Sequence, residues 1–343
     1  MPVRIAAIEV SHWHAVYDPA YLRQLQRMPD VVIAALQDPD AAVAARRAAE
    51  VGNPPTFTDY RAMLREVKPD FVLALGRHRV MAEVAHRLLD HGFPFIMEKP
   101  MGVNADEVRG IAEKADAKQG YAAVPMPMRY YPFYAQAQKM LAAGAFGPLS
   151  HVYMRMNRFS SARYVDWDCP WMLDPAVAGG GCLRNLGTHG FDMFSLLTGE
   201  DAEVTGAQVS RRALAQPVED YAAVLIRSRS GVLGTLEIGT TYPRVTTEGE
   251  KKGPSRDKLL DGADGEWKVS GRDALLMAKD GEMRVVTAHA EETIPGTPEG
   301  SPSYRLLKDA IDRWQRGEPP PASVHDCYRA VRLIDRAYEL AAA

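Results

Sequence analysis

The stretch "IAAIEVSHWHA", residues 5–15, indicates how the chain begins to fold. Its apolar half belongs to a run over residues 3–8 that is typical of a strand buried on both faces of a parallel sheet. In a doubly wound dinucleotide-binding domain, a G-x-G-x-x-G turn follows the first strand. Here the three glycine positions hold Glu9, Ser11 and His14. The stretch therefore predicts the first strand of such a domain, followed by an altered phosphate-binding loop.

The rest of the first third of the chain alternates apolar runs with helical patterns. We predict strands at residues 31–40, 70–76, 93–100 and 121–130, and helices at residues 41–52, 57–67, 80–92 and 104–120. Thr58 is the expected N-cap of the helix that follows it. Repeated β-α units of this length predict a parallel sheet covered by helices on both faces.

After about residue 150 the pattern changes to antiparallel strands. Residues 222–242 predict a hairpin that turns at Ser230 and Gly231, and residues 266–271 and 274–286 add further strands. The polar, glycine-rich residues 246–265 predict a mobile surface loop. Two amphipathic helices end the chain. We therefore predict a Rossmann-type α/β domain at residues 1–122, then an α+β domain at residues 123–343 with a large, mostly antiparallel, open-faced sheet.

Composition excludes several classes of partner. The chain has 343 residues, a quarter of them charged, and a net charge of −3, which favours neither nucleic acid nor an anionic membrane surface. No apolar stretch approaches the roughly 20 residues of a membrane helix, and no signal-peptide pattern opens the chain. Cys169, Cys182 and Cys327 lie far apart, which indicates reduced thiols in a cytoplasmic protein.

Two motifs carry a resemblance to a known family. "MEKPMG", residues 97–102, ends a strand of the first domain, and "GGGCLRNLGTHGFDMFSLLTG", residues 179–199, lies in the second. Together they resemble the Gfo/Idh/MocA family of NAD(P)-dependent oxidoreductases, whose members carry E-K-P and then G-G-G-x-L-x-D-x-G-x-H-x-x-D. The resemblance implies hydride transfer between a nicotinamide and a hydroxyl or carbonyl carbon of a sugar, polyol or related compound.

Three residues are expected to carry the chemistry. Hydride transfer needs a group that takes the alcohol proton, and Lys99, at the carboxyl edge of a strand beside a cleft, fits that role. His189 matches the family's second proton-handling residue, and Asn185 stands where the family has an aspartate. Asp192 is expected either to steady His189 or to cap its helix. The resemblance also implies that the bond before Pro100 can be cis.

The expected cofactor is NAD, with NADP less favoured. Asp38 ends the second strand, where a carboxylate accepts ribose hydroxyls and repels a 2′-phosphate. The interval between the altered turn and Asp38 is longer than usual, so we predict a long first loop with Asp18 as N-cap and a helix that begins near Pro19. Arg77 is either a ligand of a cofactor phosphate or substrate carboxylate, or part of a solvated turn. The expected cofactor-binding residues are Ser11, His12, His14, Asp38, Arg77, Glu98 and Lys99.

The substrate is expected to be a small hydroxylated molecule. Its candidate binding residues are Arg129, Tyr130, Arg158, Tyr164, Trp167, Trp171, Asn185 and His189. His12 and His14 form an H-x-H pair of the kind that metal-dependent amidohydrolases use, but eight β-α units are lacking, so no metal is expected. Two alternatives stay open: a lyase, epimerase or glycosidase that uses retained NAD transiently, and a ligand-binding relative without cofactor. The open sheet face predicts a homodimer or homotetramer.

Overall fold

A parallel sheet forms the centre of the first domain. The computed structural model describes residues 1–17, 19–243, 264–279, 281–296 and 299–342. The strands of this sheet are Val3–Ile8 (β1), Val31–Gln37 (β2), Thr56–Phe57 (β3), Phe71–Ala74 (β4), Phe95–Met97 (β5) and Ala122–Ala123 (β6). They lie in the order β3-β2-β1-β4-β5-β6, and every neighbouring pair is parallel. The order reverses between β1 and β4, which opens a crevice at the carboxyl ends of these two strands.

Three of the five helices of this domain, α2, α3 and α5, begin where a side chain caps them. Their bounds are Tyr21–Gln26 (α1), Ala41–Ala49 (α2), Tyr60–Val67 (α3), His78–Asp90 (α4) and Ala105–Lys118 (α5). The Asn104 side chain accepts a hydrogen bond from the Glu107 amide, and this bond starts α5. The N-cap of α3 is Asp59, so the prediction of Thr58 is wrong by one residue. The Asp59 carboxylate reaches the Arg61 amide at 2.8 Å.

A second, larger sheet follows. Its strands are Leu149–Phe159 (β7), Ala202–Ser210 (β8), Tyr221–Ser228 (β9), Leu233–Tyr242 (β10), Asp264–Gly271 (β11), Ala274–Lys279 (β12), Glu282–Thr287 (β13) and Glu291–Pro295 (β14). The order is β14-β13-β12-β11-β7-β10-β9-β8, and only the β7–β10 pair is parallel. The predicted hairpin at Gly231 is confirmed, and the glycine has a φ of 97°. Residues 246–263 of the predicted mobile loop lie outside the described residues.

One face of this sheet is covered and the other is open. The remaining helices are Pro132–Ala142 (α6), Arg163–Asp166 (α7), Pro175–Ala178 (α8), Cys182–Thr198 (α9), Pro302–Gln315 (α10) and Val324–Ala342 (α11). Phe191 and Phe194 of α9 pack with Leu236 in one apolar core. On the other face, Leu225 and Leu233 are each 54% exposed. The prediction of an open-faced sheet is confirmed.

The last two helices return to the first domain. Leu306 and Leu307 of α10 belong to the same core as Leu22 of α1, and Cys327 of α11 belongs to the core that holds Ile111 of α5. Leu333 and Ile334 of α11 belong instead to the core of the second domain. The C-terminal segment therefore contributes apolar surface to both domains, and the limits at residues 122 and 123 stay a prediction. Across the part of the chain that the structure describes, no helix is both long and apolar enough to cross a membrane.

Candidate active site

Lys99 lies just beyond the carboxyl end of β5 and is 2% exposed. Its Nζ donates hydrogen bonds to the side-chain oxygen of Asn185 at 2.5 Å and to the backbone carbonyl of Asn185 at 2.7 Å. The Lys99–Pro100 peptide bond is cis, as the resemblance implied. The Lys99 amine of the first domain thus contacts α9 of the second domain directly.

Asn185 extends this contact to Tyr164. Its Nδ2 donates to the Tyr164 hydroxyl at 2.8 Å. A carboxamide has distinct donor and acceptor ends, so Asn185 accepts from Lys99 and donates to Tyr164 at the same time. An aspartate at this position would only accept. The result is a hydrogen-bond chain of three residues across the domain boundary.

Glycines place α9 so that it can present Asn185 and His189. A Cβ on Gly181 would lie 2.2 Å from the backbone oxygen of Glu219, so only glycine fits without movement. The Glu219 carboxylate accepts from the amides of Gly181 at 2.8 Å and Leu183 at 3.0 Å, which satisfies two donors at the start of the helix. The G-G-G motif is therefore a close-approach site that fixes the helix.

His189 lies four residues after Asn185 on α9 and is 6% exposed. Burial, assisted by the charges of Lys99 and Arg158, lowers its pKa to about 3. Within the described residues its Nδ1 has no hydrogen-bond partner. His189 is therefore a neutral imidazole near pH 7, beside Lys99 and in electrostatic reach of Arg158.

Arg129 and Tyr130, predicted as substrate-binding residues, are engaged by other protein groups. Arg129 forms a two-bonded ion pair with Asp192, at 2.6 and 2.9 Å, and donates to the Pro321 carbonyl at 2.6 Å. The Tyr130 hydroxyl donates to Asp309 at 2.6 Å. Asp192 thus serves neither of its two expected roles, because its carboxylate is engaged by Arg129. These contacts tie the start of the second domain to its helices.

The loop after β1 is long, as predicted. It contains one short 3₁₀ turn, Trp13–Ala15, and α1 begins at Tyr21. Asp18, the predicted N-cap, lies outside the described residues, and the N-cap position belongs to Ala20, with a φ of 49°. Trp13 is buried, with its ring 5.0 Å from the ring of Tyr164. The loop therefore packs against the second domain.

Glu9 and Arg77 form an ion pair at the crevice between β1 and β4. The Glu9 carboxylate accepts from the Arg77 backbone amide at 2.9 Å and from its guanidinium at 2.9 and 3.2 Å. Glu9 has a φ of 53°, the left-handed region that the glycine of the usual turn would adopt easily. The negative charge that would oppose a diphosphate is neutralised here. The Arg77 side chain remains 40% exposed.

Asp38, at the end of β2, binds the backbone of the loop that follows β1. It is 2% exposed, and its carboxylate accepts from the amides of Ser11 at 2.7 Å and Asp40 at 3.0 Å. Burial raises the pKa of Asp38, and these hydrogen bonds oppose that shift. The Ser11 carbonyl in turn accepts from the thiol of Cys169 at 3.0 Å. Asp38 and Ser11 are thus brought together at the end of β2.

His12, His14 and Glu98 also meet in the cleft. The Nδ1 of His14 lies 2.7 Å from a carboxylate oxygen of Glu98, and the Nδ1 of His12 accepts from the His14 amide at 3.1 Å. The His12 ring stacks on Trp13, 4.0 Å between centroids, with Trp171 at 5.9 Å. Burial lowers the pKa of His12 well below its ordinary value. Burial opposes ionisation of Glu98, but its interactions with His14 and Lys99 give a net lowering of its pKa.

His78 is a buried residue of the site to which sequence analysis assigned no function. It is fully buried at the start of α4, with Nδ1 2.7 Å from the Ala178 carbonyl and its ring 5.2 Å from that of Trp171. Burial lowers its pKa to about 3. A lone histidine after a strand gave no signal of this contact, because Ala178 is 100 positions away in the sequence.

Comparisons with known proteins agree with this architecture. Residues 16–125 match the oxidoreductase family with an NAD-binding Rossmann fold, and residues 134–252 match the Gfo/Idh/MocA C-terminal domain. Among solved structures, an oxidoreductase from Agrobacterium radiobacter superposes with a TM-score of 0.84 at 16% identity, over 100% of this chain and 97% of that chain. This similarity shows the fold.

Curated relatives match over part of their length. The rhizopine catabolism protein MocA of Rhizobium meliloti is 27% identical over 218 residues, 62% of this chain and 65% of that protein. Levoglucosan dehydrogenase of Pseudarthrobacter phenanthrenivorans is 27% identical over 179 residues, 50% of this chain and 43% of that protein. The match thus spans less than two thirds of either relative. With both domain types matched in sequence order and the E-K-P lysine in contact with the G-G-G helix, the chain belongs to the Gfo/Idh/MocA family of oxidoreductases.

Proposed function

We propose that the protein is an NAD(P)-dependent oxidoreductase that transfers hydride between a nicotinamide and a hydroxyl or carbonyl carbon of a sugar, polyol or related small molecule. The observation that carries the proposal is the Lys99–Asn185–Tyr164 hydrogen-bond chain, with neutral His189 beside it, at the carboxyl edge of the parallel sheet. The family description and the name of the levoglucosan dehydrogenase relative support the same reaction class.

The charges at the crevice between β1 and β4 are compatible with the diphosphate of a dinucleotide. Arg77 supplies a partly exposed cation and neutralises Glu9, so the altered turn does not present a bare carboxylate. When bound, the nicotinamide supplies the hydride acceptor or donor. The carboxylate of Asp38 disfavours a 2′-phosphate, so NAD is preferred over NADP. The residues that would hold the cofactor are Ser11, His12, His14, Asp38, Arg77, Glu98 and Lys99.

The chain's own residues handle the proton and the substrate oxygen. Lys99 is the proton acceptor for an alcohol and the donor for a carbonyl, and Asn185 fixes its amine through two hydrogen bonds. His189 offers a hydrogen bond to the same substrate oxygen without adding charge. Tyr164 is positioned by Asn185 at the other end of the chain. Arg158 and Trp171 complete the proposed substrate contacts.

A dinucleotide titration tests the proposal. Fluorescence titration of the full chain with NAD and NADP, followed by an absorbance assay against sugars, polyols and their acids, should show tighter binding of NAD and turnover of at least one substrate. Mass spectrometry of the denatured protein reports any NAD that is retained through purification. No binding of either dinucleotide at millimolar concentration would overturn the proposal.

Assembly and location belong to the same proposal. Leu225 and Leu233 on the open sheet face favour pairing of two copies into a homodimer or homotetramer. The three cysteines are all free and buried, which is consistent with a reducing, cytoplasmic location. Light scattering of the wild type and of Leu225→Asp should show an oligomer that the variant weakens. A wild-type monomer would contradict the assembly.

A further inference from the structure

Three potential metal ligands converge in the cleft. One nitrogen each of His12 and His14 and one carboxylate oxygen of Glu98 all lie within 4.8 Å of one another, and all three residues are buried. Two imidazoles with one carboxylate form a ligand set that divalent transition metals use in proteins. The proposed function uses these three residues only as cofactor contacts, which does not require two imidazoles and a carboxylate to converge on one point.

Two atoms of this cluster lack partners. Across the described parts of the chain, the Nε2 of His12 and the second carboxylate oxygen of Glu98 are buried and make no hydrogen bond. Buried polar atoms are almost always satisfied, so orphaned ones mark places where a missing partner belongs. The unsatisfied Glu98 oxygen is an anionic acceptor that a cation would satisfy, and the His12 nitrogen becomes a further ligand once its proton moves to the other ring nitrogen.

Packed elements hold the residues of this cluster in place. His12 caps the 3₁₀ turn Trp13–Ala15, and its ring is held by stacking on Trp13. Glu98 directly follows the buried strand β5, at 0% exposure. A ligand set on a packed turn and a strand end is more rigid than one on exposed loops.

We propose that His12, His14 and Glu98 bind one divalent transition metal ion, such as Zn²⁺, and leave a coordination position open for a substrate oxygen. A tetrahedral ion with three protein ligands keeps its fourth position for water or substrate. Glu98 and His14 are within electrostatic reach of His189, so a hydroxyl or carbonyl oxygen bound to the metal would lie in the proposed substrate cleft.

Coordination changes the hydrogen bonding of one ligand. The Nδ1 of His12 accepts from the His14 amide, which leaves the proton of the neutral ring on Nε2. Binding through Nε2 places that proton on Nδ1 and exchanges the bond to the His14 amide for the metal bond. The proposal departs from the sequence expectation of no metal because Glu98, 84 positions from His14, offers a third ligand that the H-x-H pair lacked.

The test uses the full chain after dialysis against EDTA. Competition with a chromophoric Zn²⁺ chelator should give one ion per chain at micromolar affinity or tighter. His12→Ala, His14→Ala and Glu98→Gln should each weaken binding by at least about 100-fold, since loss of an outer partner alone weakens metal sites by 10–100-fold. The matched control is His78→Asn, a buried histidine of the same cleft outside the ligand set, which should bind as the wild type does.

Co²⁺ provides a second readout that does not depend on turnover. Its visible absorption in the wild type should have the intensity of a four-coordinate site and should vanish in Glu98→Gln, with circular dichroism reporting that the variant is folded. Absence of stoichiometric binding, or equal binding by the wild type and all three ligand variants, would overturn the proposal. Because both measurements need neither NAD nor substrate, failure of the metal site and failure of the oxidoreductase proposal are distinguishable.

Discussion

Lys99 is the residue on which turnover should depend most strongly. Replacing it by alanine removes the proton acceptor, and general acid–base groups contribute about 100- to 10,000-fold to rate, so kcat should fall by that range. Affinity for NAD, measured by fluorescence titration, should fall far less than kcat, because six other residues are proposed to hold the cofactor and the amine is directed at Asn185. Lys114→Ala is the matched control, since that lysine pairs with Asp90 on the surface. A loss of NAD affinity equal to the loss of kcat would indicate a structural role instead.

Asn185 should set the pH dependence of the reaction. In Asn185→Asp, a carboxylate replaces the amide oxygen 2.5 Å from the Lys99 amine, and an adjacent anion favours the protonated ammonium. The acid limb of the pH–rate profile for alcohol oxidation should therefore move to higher pH. Tyr164→Phe, which removes the other contact of Asn185, should lower kcat without moving that limb. A limb that stays in place in Asn185→Asp would show that the amide does not tune Lys99.

At the residue level, the sequence predicted which residues belong to the candidate site better than it predicted the partners that those residues bind. Lys99, Asn185 and His189 were named from two motifs, and the structure brings them together. Arg129 was predicted as a substrate-binding residue, but its guanidinium is engaged by Asp192. An arginine lines a cleft or forms an ion pair depending on whether an acidic partner lies nearby in the fold. That partner is far along the chain, and one sequence does not reveal it.

The loop between β1 and α1 is the element whose sequence departs furthest from a dinucleotide-binding turn. Glu9→Gly removes an anion at the crevice and relieves a left-handed conformation that is unfavourable for other residues by roughly 1–2 kcal/mol. It also frees Arg77 to meet a phosphate, so the Kd for NAD should decrease several-fold. Arg77→Ala leaves Glu9 without its counter-charge and should increase that Kd by about tenfold, as expected for loss of a charged pair.

Isothermal titration calorimetry with NAD measures both predicted changes in Kd, the decrease in Glu9→Gly and the increase in Arg77→Ala. The two variants change the net charge of the loop in opposite senses, so opposite shifts identify electrostatics at the diphosphate. Equal affinities in Glu9→Gly, Arg77→Ala and the wild type would place the diphosphate away from this ion pair.

Elements with long, regular patterns were predictable and short ones were not. The helix after Asn104 and the hairpin at Gly231 follow local rules of capping and turn geometry, and both are confirmed. The two-residue strand Thr56–Phe57 and the helices Arg163–Asp166 and Pro175–Ala178 carry no periodicity of their own. They form because tertiary contacts, such as Tyr164 against Trp13, hold them.

At the scale of the whole molecule, the two domains are joined by contacts that no local pattern encodes. Helix α10, near the C-terminus, packs into the core of the first domain, and the loop after β1 packs against the second domain. Amphipathic periodicity predicted that α10 has a buried face but not which sheet covers it. The cleft is consequently lined by groups from both domains, and its histidines are shielded from water.

Buried neutral histidines should make the folded protein sensitive to mild acid. The folded-state pKa of both His78 and His189 is about 3, against 6.5 in the unfolded chain. As pH falls below 6.5, the unfolded chain takes up a proton on each ring and the folded chain does not, so the free energy of unfolding falls. Each histidine can contribute up to about 1.4 kcal/mol per pH unit between these two pKa values.

The difference between the wild type and His78→Asn isolates one of these rings. The asparagine amide can still donate to the Ala178 carbonyl, so the fold is retained while the titrating group is lost. Urea unfolding of the EDTA-treated protein from about pH 7 to about pH 5 should show a smaller loss of stability in the variant, by up to roughly 1.4 kcal/mol per unit. Asp38 and Asp192, whose pKa burial raises, oppose the trend equally in both proteins. Identical slopes would mean that His78 is already protonated in the fold, which would leave an unpaired buried charge beside Trp171.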